Sequence, residues 1–369
     1  MDKTFVTRTY LPPKDEYFEK ISGIWDNHIL TNQGPLHKEF ECELMKYLGL
    51  SNLHYVNNGT TALEIAIESL NRSCGEVITT PFTFIATSSA IMWQKYKPVF
   101  VDIKSNNFNI DADKIEEKIN ENTKAIVAVH CFGYPCDIDK ISDIGKKNNI
   151  PVIYDAAHAF GVKYSGKSLF EYGDISIGSL HATKVFHSIE GGLCIVNDSK
   201  YDDRIKAIGN FGIVNGNYEY VGINAKPSEF HAAMGLCMLN HINEIIDYRK
   251  KISDLYRTYI STKIFIPEIP SDLEHNYIYF PVVFPTEEAL EEVVDNLKRE
   301  NIFPRRYFNP CLSELQIFGT PLNTPIASDI SRRVLCLPLD TYITEEIVKK
   351  ICLIINNTMN SRIYSIIKK

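Results

Sequence analysis

The residues with chemistry to offer sit at three separated places in the chain. Ser179-Leu180-His181-Ala182-Thr183-Lys184 runs on to Glu190-Gly191-Gly192, and Lys184 carries a primary amine able to form a Schiff base with a carbonyl. Asp155 closes the apolar run Pro151-Val152-Ile153-Tyr154, where an unpaired carboxylate is costly to bury. Asn57-Asn58-Gly59-Thr60-Thr61 stands between apolar Leu53-His54-Tyr55-Val56 and a helical recurrence of Ala62, Leu63, Ala66, Ile67 and Leu70. A helix starting there exposes unpaired N–H groups and the positive end of its dipole, which suits a phosphate. Each feature alone has a plainer reading. Lys184 reads as a solvated amine, Asp155 as a helix cap or ion-pair partner, and Thr60 as an N-cap.

Taken together they suggest more. Schiff-base chemistry with an external electron sink needs a Lys to hold a cofactor and a carboxylate to keep a pyridine nitrogen protonated. It also needs donors for a phosphate and a flat group over the ring. A pyridinium beside Asp155 would offset the cost of burial, lowering the pKa of the acid and raising that of the ring nitrogen.

These groups require a scaffold. Asp174 to Leu180 alternates and is β-branched, so it reads as a strand. Gly191-Gly192 then turns the chain into a second strand, Leu193 to Val196. Further strands are expected at Leu53–Val56, Val77–Thr80, Pro98–Ile103, Ala125–His130 and Pro151–Asp155. Helices are expected over Phe84–Trp93, Asp113–Ile119 and Ile138–Lys147. The alternation implies an α/β fold with a mostly parallel sheet and helices on both faces. Ligands collect beyond the carboxyl ends of such strands, and on this reading His130 and Asp155 point into one crevice.

A first helix follows an N-terminal arm within residues 1–30. Another spans Leu36–Leu48, and a Met-bearing stripe begins at Glu229, read as core or subunit contact. Residues 250–275 are more charged and less regular. Beyond them come strand-like Tyr277–Phe284, a helix over Glu287–Glu300 and a C-terminal helix from Thr344. The chain thus divides into a large domain, 1–250, and a smaller α+β domain, 251–369.

Composition narrows the function classes. The 369 residues are 44% apolar and 23% charged, ordinary for a globular protein. A net charge of −7 argues against nucleic acid as the main partner. No apolar run approaches the ~20 residues that cross a membrane, and the N-terminus lacks the apolar core of a signal peptide. Nine cysteines without Cys-x-x-Cys spacing read as reduced, cytoplasmic thiols. No metal site is expected. A nicotinamide-binding fold fits worst, because no Gly-x-Gly-x-x-Gly follows the first strand.

Four motifs then occur in order: Asn58-Gly59-Thr60-Thr61-Ala62-Leu63, Thr80-Pro81-Phe82-Thr83-Phe84-Ile85-Ala86-Thr87, Asp155-Ala156-Ala157-His158-Ala159 and Ser179-Leu180-His181-Ala182-Thr183-Lys184. With Gly222-Ile223-Asn224-Ala225-Lys226 and Leu335-Cys336-Leu337-Pro338, they resemble the DegT-type nucleotide-sugar aminotransferases across nearly the whole chain. The resemblance implies the pyridoxal-phosphate-dependent transferase fold type I (aspartate aminotransferase-like). It implies pyridoxal 5′-phosphate, with the pyridoxamine form as intermediate, and a homodimer with active sites at the subunit interface. Lys184 would hold the cofactor and shuttle protons, Asp155 would pair with the ring nitrogen, and Phe84 would stack on the ring. Gly59, Thr60, Thr61 and Ser179 would cradle the phosphate, joined by Asn224 from the partner, and His158 would lie near the ring hydroxyl. L-Glutamate would donate the amine to a nucleotide-linked keto sugar.

Within the family, Leu30-Thr31-Asn32, Ile153 to Gly161 and His181 to Phe186 look most like the VioA-type enzymes. Those convert TDP-4-keto-6-deoxy-D-glucose to TDP-4-amino-4,6-dideoxy-D-glucose, and surface polysaccharide such as lipopolysaccharide O-antigen is the implied context. The family's Tyr-x-Pro-Leu-His appears here as Tyr307-Phe308-Asn309-Pro310-Cys311-Leu312, without the His. Substrate contacts are assigned to His181, Tyr307, Arg305 and Arg306, the two arginines toward the diphosphate. Two adjacent loop arginines are equally often just solvated. The alternatives are a 3-aminotransferase on a TDP-3-keto-6-deoxyhexose, a sugar dehydratase (which would replace Lys184 by His), a cysteine desulfurase-like enzyme using Cys311, and a non-enzymatic cofactor-bound regulator.

Overall fold

The computed structural model describes residues 3–71, 74–319 and 322–367. Met1 and Asp2 of the expected arm, and Lys368 and Lys369 at the end of the expected last helix, lie outside the described residues. Seven strands form the central sheet: β1 (Leu53–Val56), β2 (Glu76–Thr79), β3 (Lys97–Phe100), β4 (Thr123–Val129), β5 (Val152–Asp155), β6 (Ile175–Ser179) and β7 (Gly192–Val196). Their order is β1-β7-β6-β5-β4-β2-β3. β2 to β6 pair in parallel, while β7 runs antiparallel to both β1 and β6. The mostly parallel α/β sheet is present, with one reversed strand. That strand is the return leg of the Lys184 loop.

These strands are apolar almost end to end because both faces are covered. Successive side chains point to opposite faces. Ile126, Ala128, Val152 and Tyr154 enter one core, and Val127, Ile153, Ile175 and Ile177 enter the other. On the first face lie α2 (Pro35–Leu48), α5 (Ile138–Asn148) and α7 (Glu229–Leu239), contributing Phe40, Leu44, Ile141, Ile144 and Met234. On the second lie α3 (Gly59–Ser69), α4 (Ile85–Trp93) and α6 (Asp202–Ile208), contributing Ala62, Leu63, Ala90, Ile91 and Ile205. Asp155, two residues beyond Ile153, therefore faces α3 and α4. α1 (Lys14–Asn27) packs Ile21 and Ile24 against Ala233 of α7.

A separate core runs from Ile252 to Met359. It joins α9 (Glu287–Arg299), α11 (Glu345–Ile367) and the antiparallel pair β8 (Phe280–Val283) with β9 (Val334–Leu337). The charged stretch after residue 250 is not irregular at first. α8 (Ile242–Tyr259) continues through it, burying Ile242, Ile245, Ile252 and Tyr256 at helical spacing while its charges mostly face outward. Arg249 is the exception, buried with its guanidinium donating to the carbonyls of Tyr277 (2.9 Å) and Ile278 (2.5 Å). Ile242 and Ile245 belong to the main core, and Ile252 and Tyr256 to the second. The helix expected over Asp113–Ile119 is two short 3-10 turns, Ala112–Lys114 and Glu116–Lys118. The strand-like Tyr277–Phe284 shortens to β8.

Two buried carboxylates tie distant helices into place. Glu229 accepts from the amides of Leu36 (2.8 Å) and His37 (3.0 Å), so a residue of α7 caps α2. Asp102 accepts from Ile326 (3.1 Å) and Ala327 (2.9 Å), capping α10 (Pro325–Arg333). No described helix is long and apolar enough to cross a membrane.

Candidate active site

Lys184 lies on the connection between β6 and β7, an excursion closed at its base. Leu180 donates to Gly191 O at 2.8 Å and Ser188 to Leu180 O at 3.0 Å. Within it the Lys184 amide donates to His181 O at 2.9 Å, closing a turn. The N-terminal arm fastens the loop from outside. Thr9 Oγ1 donates to Ala182 O at 2.8 Å, and the Tyr10 carbonyl accepts from His187 Nε2 at 2.8 Å. Burial pulls the Lys184 amine down to about 8, only partly opposed by the charge of Asp155. A half-buried lysine at that value is roughly a fifth neutral near physiological pH, far more than an ordinary one.

Asp155 is the counterpart, 5% exposed at the end of β5. Burial holds its acid above the usual carboxylate range, only partly offset by a hydroxyl, an amide and the Lys184 charge. The hydroxyl is Thr87 Oγ1, donating to Oδ2 at 2.7 Å, and the amide is that of Ala157, donating to Oδ1 at 3.1 Å. Thr87 in turn lies 3.0 Å from the hydroxyl of Thr83. Both threonines stand inside the motif that carries Phe84, where neither composition nor spacing marks them.

The start of α3 lies on the same face. Asn58 caps it, its side chain accepting from Thr61 N at 2.8 Å and its carbonyl from Ala62 N at 3.1 Å. The cap is thus Asn58 and not Thr60. The Thr61 amide is spent on it, leaving those of Gly59 and Thr60 among the unpaired donors of the first turn. Gly59 approaches the end of β6 so closely that a Cβ there would stand 3.0 Å from Ser179 Cβ and 3.3 Å from its Oγ. Helix start and Ser179 hydroxyl therefore converge on one small space.

His158 is buried after β5, its ring parallel to those of Phe132 and Phe308, each with a centroid separation of 6.0 Å. Its Nδ1 accepts from the Phe132 amide at 3.1 Å, so the neutral ring carries its proton on Nε2. Burial and the nearby Lys184 charge hold it well below the usual histidine range. Phe84 caps α4 and is 57% exposed, a large apolar ring left uncovered beside this site.

The other expected residues separate from this group. His130 does not share the crevice with Asp155. Its ring stacks on Tyr154 at 4.4 Å, on the opposite face of the sheet, because neighbouring strand positions alternate. Arg306 is held at Glu287 (2.8 Å) and the Arg332 carbonyl (2.6 Å). Arg305 is exposed and lies 5.1 Å from the Tyr307 ring, itself edge-on to Tyr279. His181 turns toward Thr183 (2.8 Å) and Glu190 (3.5 Å). Asn224 is exposed, its carbonyl accepting from Asn57 at 3.4 Å. Cys311 is fully buried against Pro81 O and Ser313 Oγ, without the open setting a nucleophilic thiol needs. Among the described residues no cluster could hold a metal ion.

Residues 13–356 match the model of the DegT/DnrJ/EryC1/StrS aminotransferase family. The chain is 40% identical over 356 residues to a dTDP-4-amino-4,6-dideoxy-D-glucose transaminase of Shigella dysenteriae, covering 94% of this chain and 96% of the relative. It is 39% identical over 373 residues to one of Escherichia coli, covering 95% and 97%. A crystal structure of DesI with its TDP-sugar product superposes with a TM-score of 0.92 at 29% identity, covering 100% of this chain and 97% of that one.

Proposed function

The chain belongs to the DegT/DnrJ/EryC1/StrS aminotransferase family, and from that premise we propose that it moves an amine from L-glutamate to C4 of TDP-4-keto-6-deoxy-D-glucose, giving TDP-4-amino-4,6-dideoxy-D-glucose. The observation that carries this reading is buried Asp155 and half-buried Lys184, electrostatically coupled beside the open start of α3. The family implies pyridoxal phosphate, and the residues fit it. A space that a Cβ at Gly59 would fill adjoins helix-start amides and the Ser179 hydroxyl, and a carboxylate lies buried within reach of Lys184's charge.

When bound, pyridoxal phosphate would supply an aldehyde that can hold an amine and a ring that can accept electrons. The chain's own residues do the rest. Lys184 Nζ, in the neutral form that its lowered pKa makes accessible, would remove and return the proton between cofactor and substrate carbons. Asp155 keeps the ring nitrogen protonated by remaining ionised. Gly59, Thr60 and Ser179 hold the phosphate, with Thr61 shaping the turn through Asn58 and Asn224 reaching in from the partner subunit. Phe84 covers the ring, and His158 offers its Nε2 proton to the ring hydroxyl. His181, Arg305 and Tyr307 line the approach for the nucleotide sugar, while Arg306 braces the loop from behind.

A homodimer goes with this reading, since Phe84 is apolar surface beside the site that a second subunit would cover. So does a division near residue 250 within α8, where helix packing passes from the main core to the second. The nine unpaired cysteines suit a cytoplasmic location.

The test is the visible spectrum of purified protein with pyridoxal phosphate, followed by L-glutamate and then keto sugar. The expected result is a yellow band that bleaches with glutamate and returns as the C4 amine forms, identified by NMR. A protein that never acquires the band overturns the reading. A band that bleaches, with the amine delivered at C3 of a 3-keto sugar instead, replaces the substrate assignment alone.

A further inference from the structure

Asp155 is served by a hydrogen-bond chain that begins outside its own strand, and the inference rests on the cofactor reading above. Thr87 stands in the first turn of α4 and is fully buried. A helical threonine ordinarily returns its hydroxyl to the carbonyl four residues back. Thr87 instead reaches across to the sheet and meets Asp155 Oδ2 at 2.7 Å. The direction of the chain follows from valence. An ionised carboxylate only accepts, so Thr87 must spend its one proton on Asp155, and its oxygen then accepts from Thr83 Oγ1 at 3.0 Å. A hydroxyl that accepts while donating is the stronger donor, and more so in a dry interior. Thr83 is 2% exposed, so water is not positioned to replace it.

The carboxylate is thereby pinned on both oxygens, by Thr87 on Oδ2 and by the Ala157 amide (3.1 Å) on Oδ1. Each oxygen keeps a second lone pair for another donor. The same turn carries Phe84, whose carbonyl accepts from the Thr87 amide at 3.2 Å. The segment that presents the aromatic face and the segment that orients the carboxylate are one.

We propose that Thr87, backed by Thr83, is a positioning residue that holds Asp155 ionised and correctly turned toward a protonated pyridine nitrogen. Replacing its hydroxyl leaves the buried acid with one protein donor, and the shared proton shifts from the ring nitrogen toward the carboxylate.

The experiment compares wild type, Thr87→Val, Thr87→Ser and Thr83→Val by fluorescence titration of the apo-protein with pyridoxal phosphate and by the pH dependence of the bound cofactor's visible band. Thr87→Val should weaken cofactor binding about tenfold and move the band's pH midpoint, because a hydrogen bond to a charged group is lost. Thr87→Ser should stay within about twofold of wild type, and Thr83→Val should fall between them. In an Asp155→Asn background, Thr87→Val should add no further loss, which a packing role would not reproduce. Wild-type affinity and an unmoved band in Thr87→Val overturn the proposal, as do equal losses in the Val and Ser variants. A wild type that binds no pyridoxal phosphate overturns the cofactor reading and this one with it, whereas the first two outcomes leave that reading standing.

Discussion

The starts of α2 and α10 differ from the start of α3 in where their anion comes from. α2 is capped by Glu229 and α10 by Asp102, each carboxylate at most 6% exposed and bonded to two first-turn amides. There the chain fills the positive end of the helix from within. At α3 the cap is neutral Asn58, which takes the Thr61 and Ala62 amides and leaves the first two. The glycines at these sites tell the same story. A Cβ at Gly34 would stand 2.7 Å from the Glu229 side chain, inside a closed fit, whereas a Cβ at Gly59 would intrude at 3.0 Å on the Ser179 side of an open one. The starts of α2 and α10 are sealed by the protein's own charge; that of α3 is left for a charge brought from outside.

If that distinction holds, damage on the α3 side should remove function and leave folding alone. Lys184→Ala should abolish covalent capture of pyridoxal phosphate and lower transamination by at least about 10³-fold, since it removes the one amine carried on the loop between β6 and β7. Thermal unfolding of the apo-protein should not fall, because the substitution removes a half-buried ammonium rather than a packed core group. A clear drop in apo stability would mean that Lys184 belongs with the structural set.

The next effect is one of pH. The Lys184 amine sits at about 8, below its ordinary 10.5, so it sheds its proton earlier as pH rises. Only the neutral amine attacks an aldehyde. The rate at which apo-protein captures pyridoxal phosphate should therefore climb through pH 8 and level above it, falling about fiftyfold between pH 8 and pH 6. Rapid-mixing absorbance across that range checks it. A rate still rising tenfold per pH unit beyond pH 9 would show an unperturbed lysine.

On the α2 side the expected signs reverse. Glu229→Gln replaces one acceptor oxygen by an amide nitrogen that faces the His37 or Leu36 N–H, and it removes the charge from the helix start. Stability should fall by about 2 kcal/mol, read as a lower unfolding midpoint, with pyridoxal phosphate affinity within about twofold of wild type. An affinity loss matching that of Gly59 or Ser179 variants would erase the contrast between the two helix starts.

How much of this could be read from the sequence differs by residue. Lys184, Asp155 and Asn58-Gly59-Thr60 stand out in the sequence only in combination, as ordered motifs, since each alone reads as a solvated amine, an ion-pair partner or a helix cap. Glu229 was read only as the beginning of a Met-bearing helix; its partners, Leu36 and His37, lie 193 and 192 residues away, and no local pattern encodes that distance. Thr87 was visible as part of a motif, yet its role depends on α4 packing beside β5. His130 was misdirected by position alone. It does end a strand as Asp155 does, but the pleat turns its ring toward Tyr154. α8 is hidden in the sequence because its charges outweigh the spacing of Ile252 and Tyr256.

The smallest expected effect is the sharpest on the comparison itself. Free inorganic phosphate carries the charge of the cofactor's phosphate and none of its ring, so it asks only whether a helix start is open. Apo wild type should gain thermal stability with added phosphate, following RT ln(1 + [L]/Kd), about 1.4 kcal/mol at ninefold the dissociation constant. Gly59→Ala pushes Ser179 away from the helix by a few tenths of an ångström, so its half-saturating phosphate concentration should rise about tenfold. Glu229→Gln, whose vacated charge lies behind Gly34 in a closed fit, should respond to phosphate as wild type does and recover none of its own lost stability. Recovery of that stability by phosphate would mean that α2 is open as well, and the division between sealed and open starts would then rest on which anion is nearer rather than on how the chain packs.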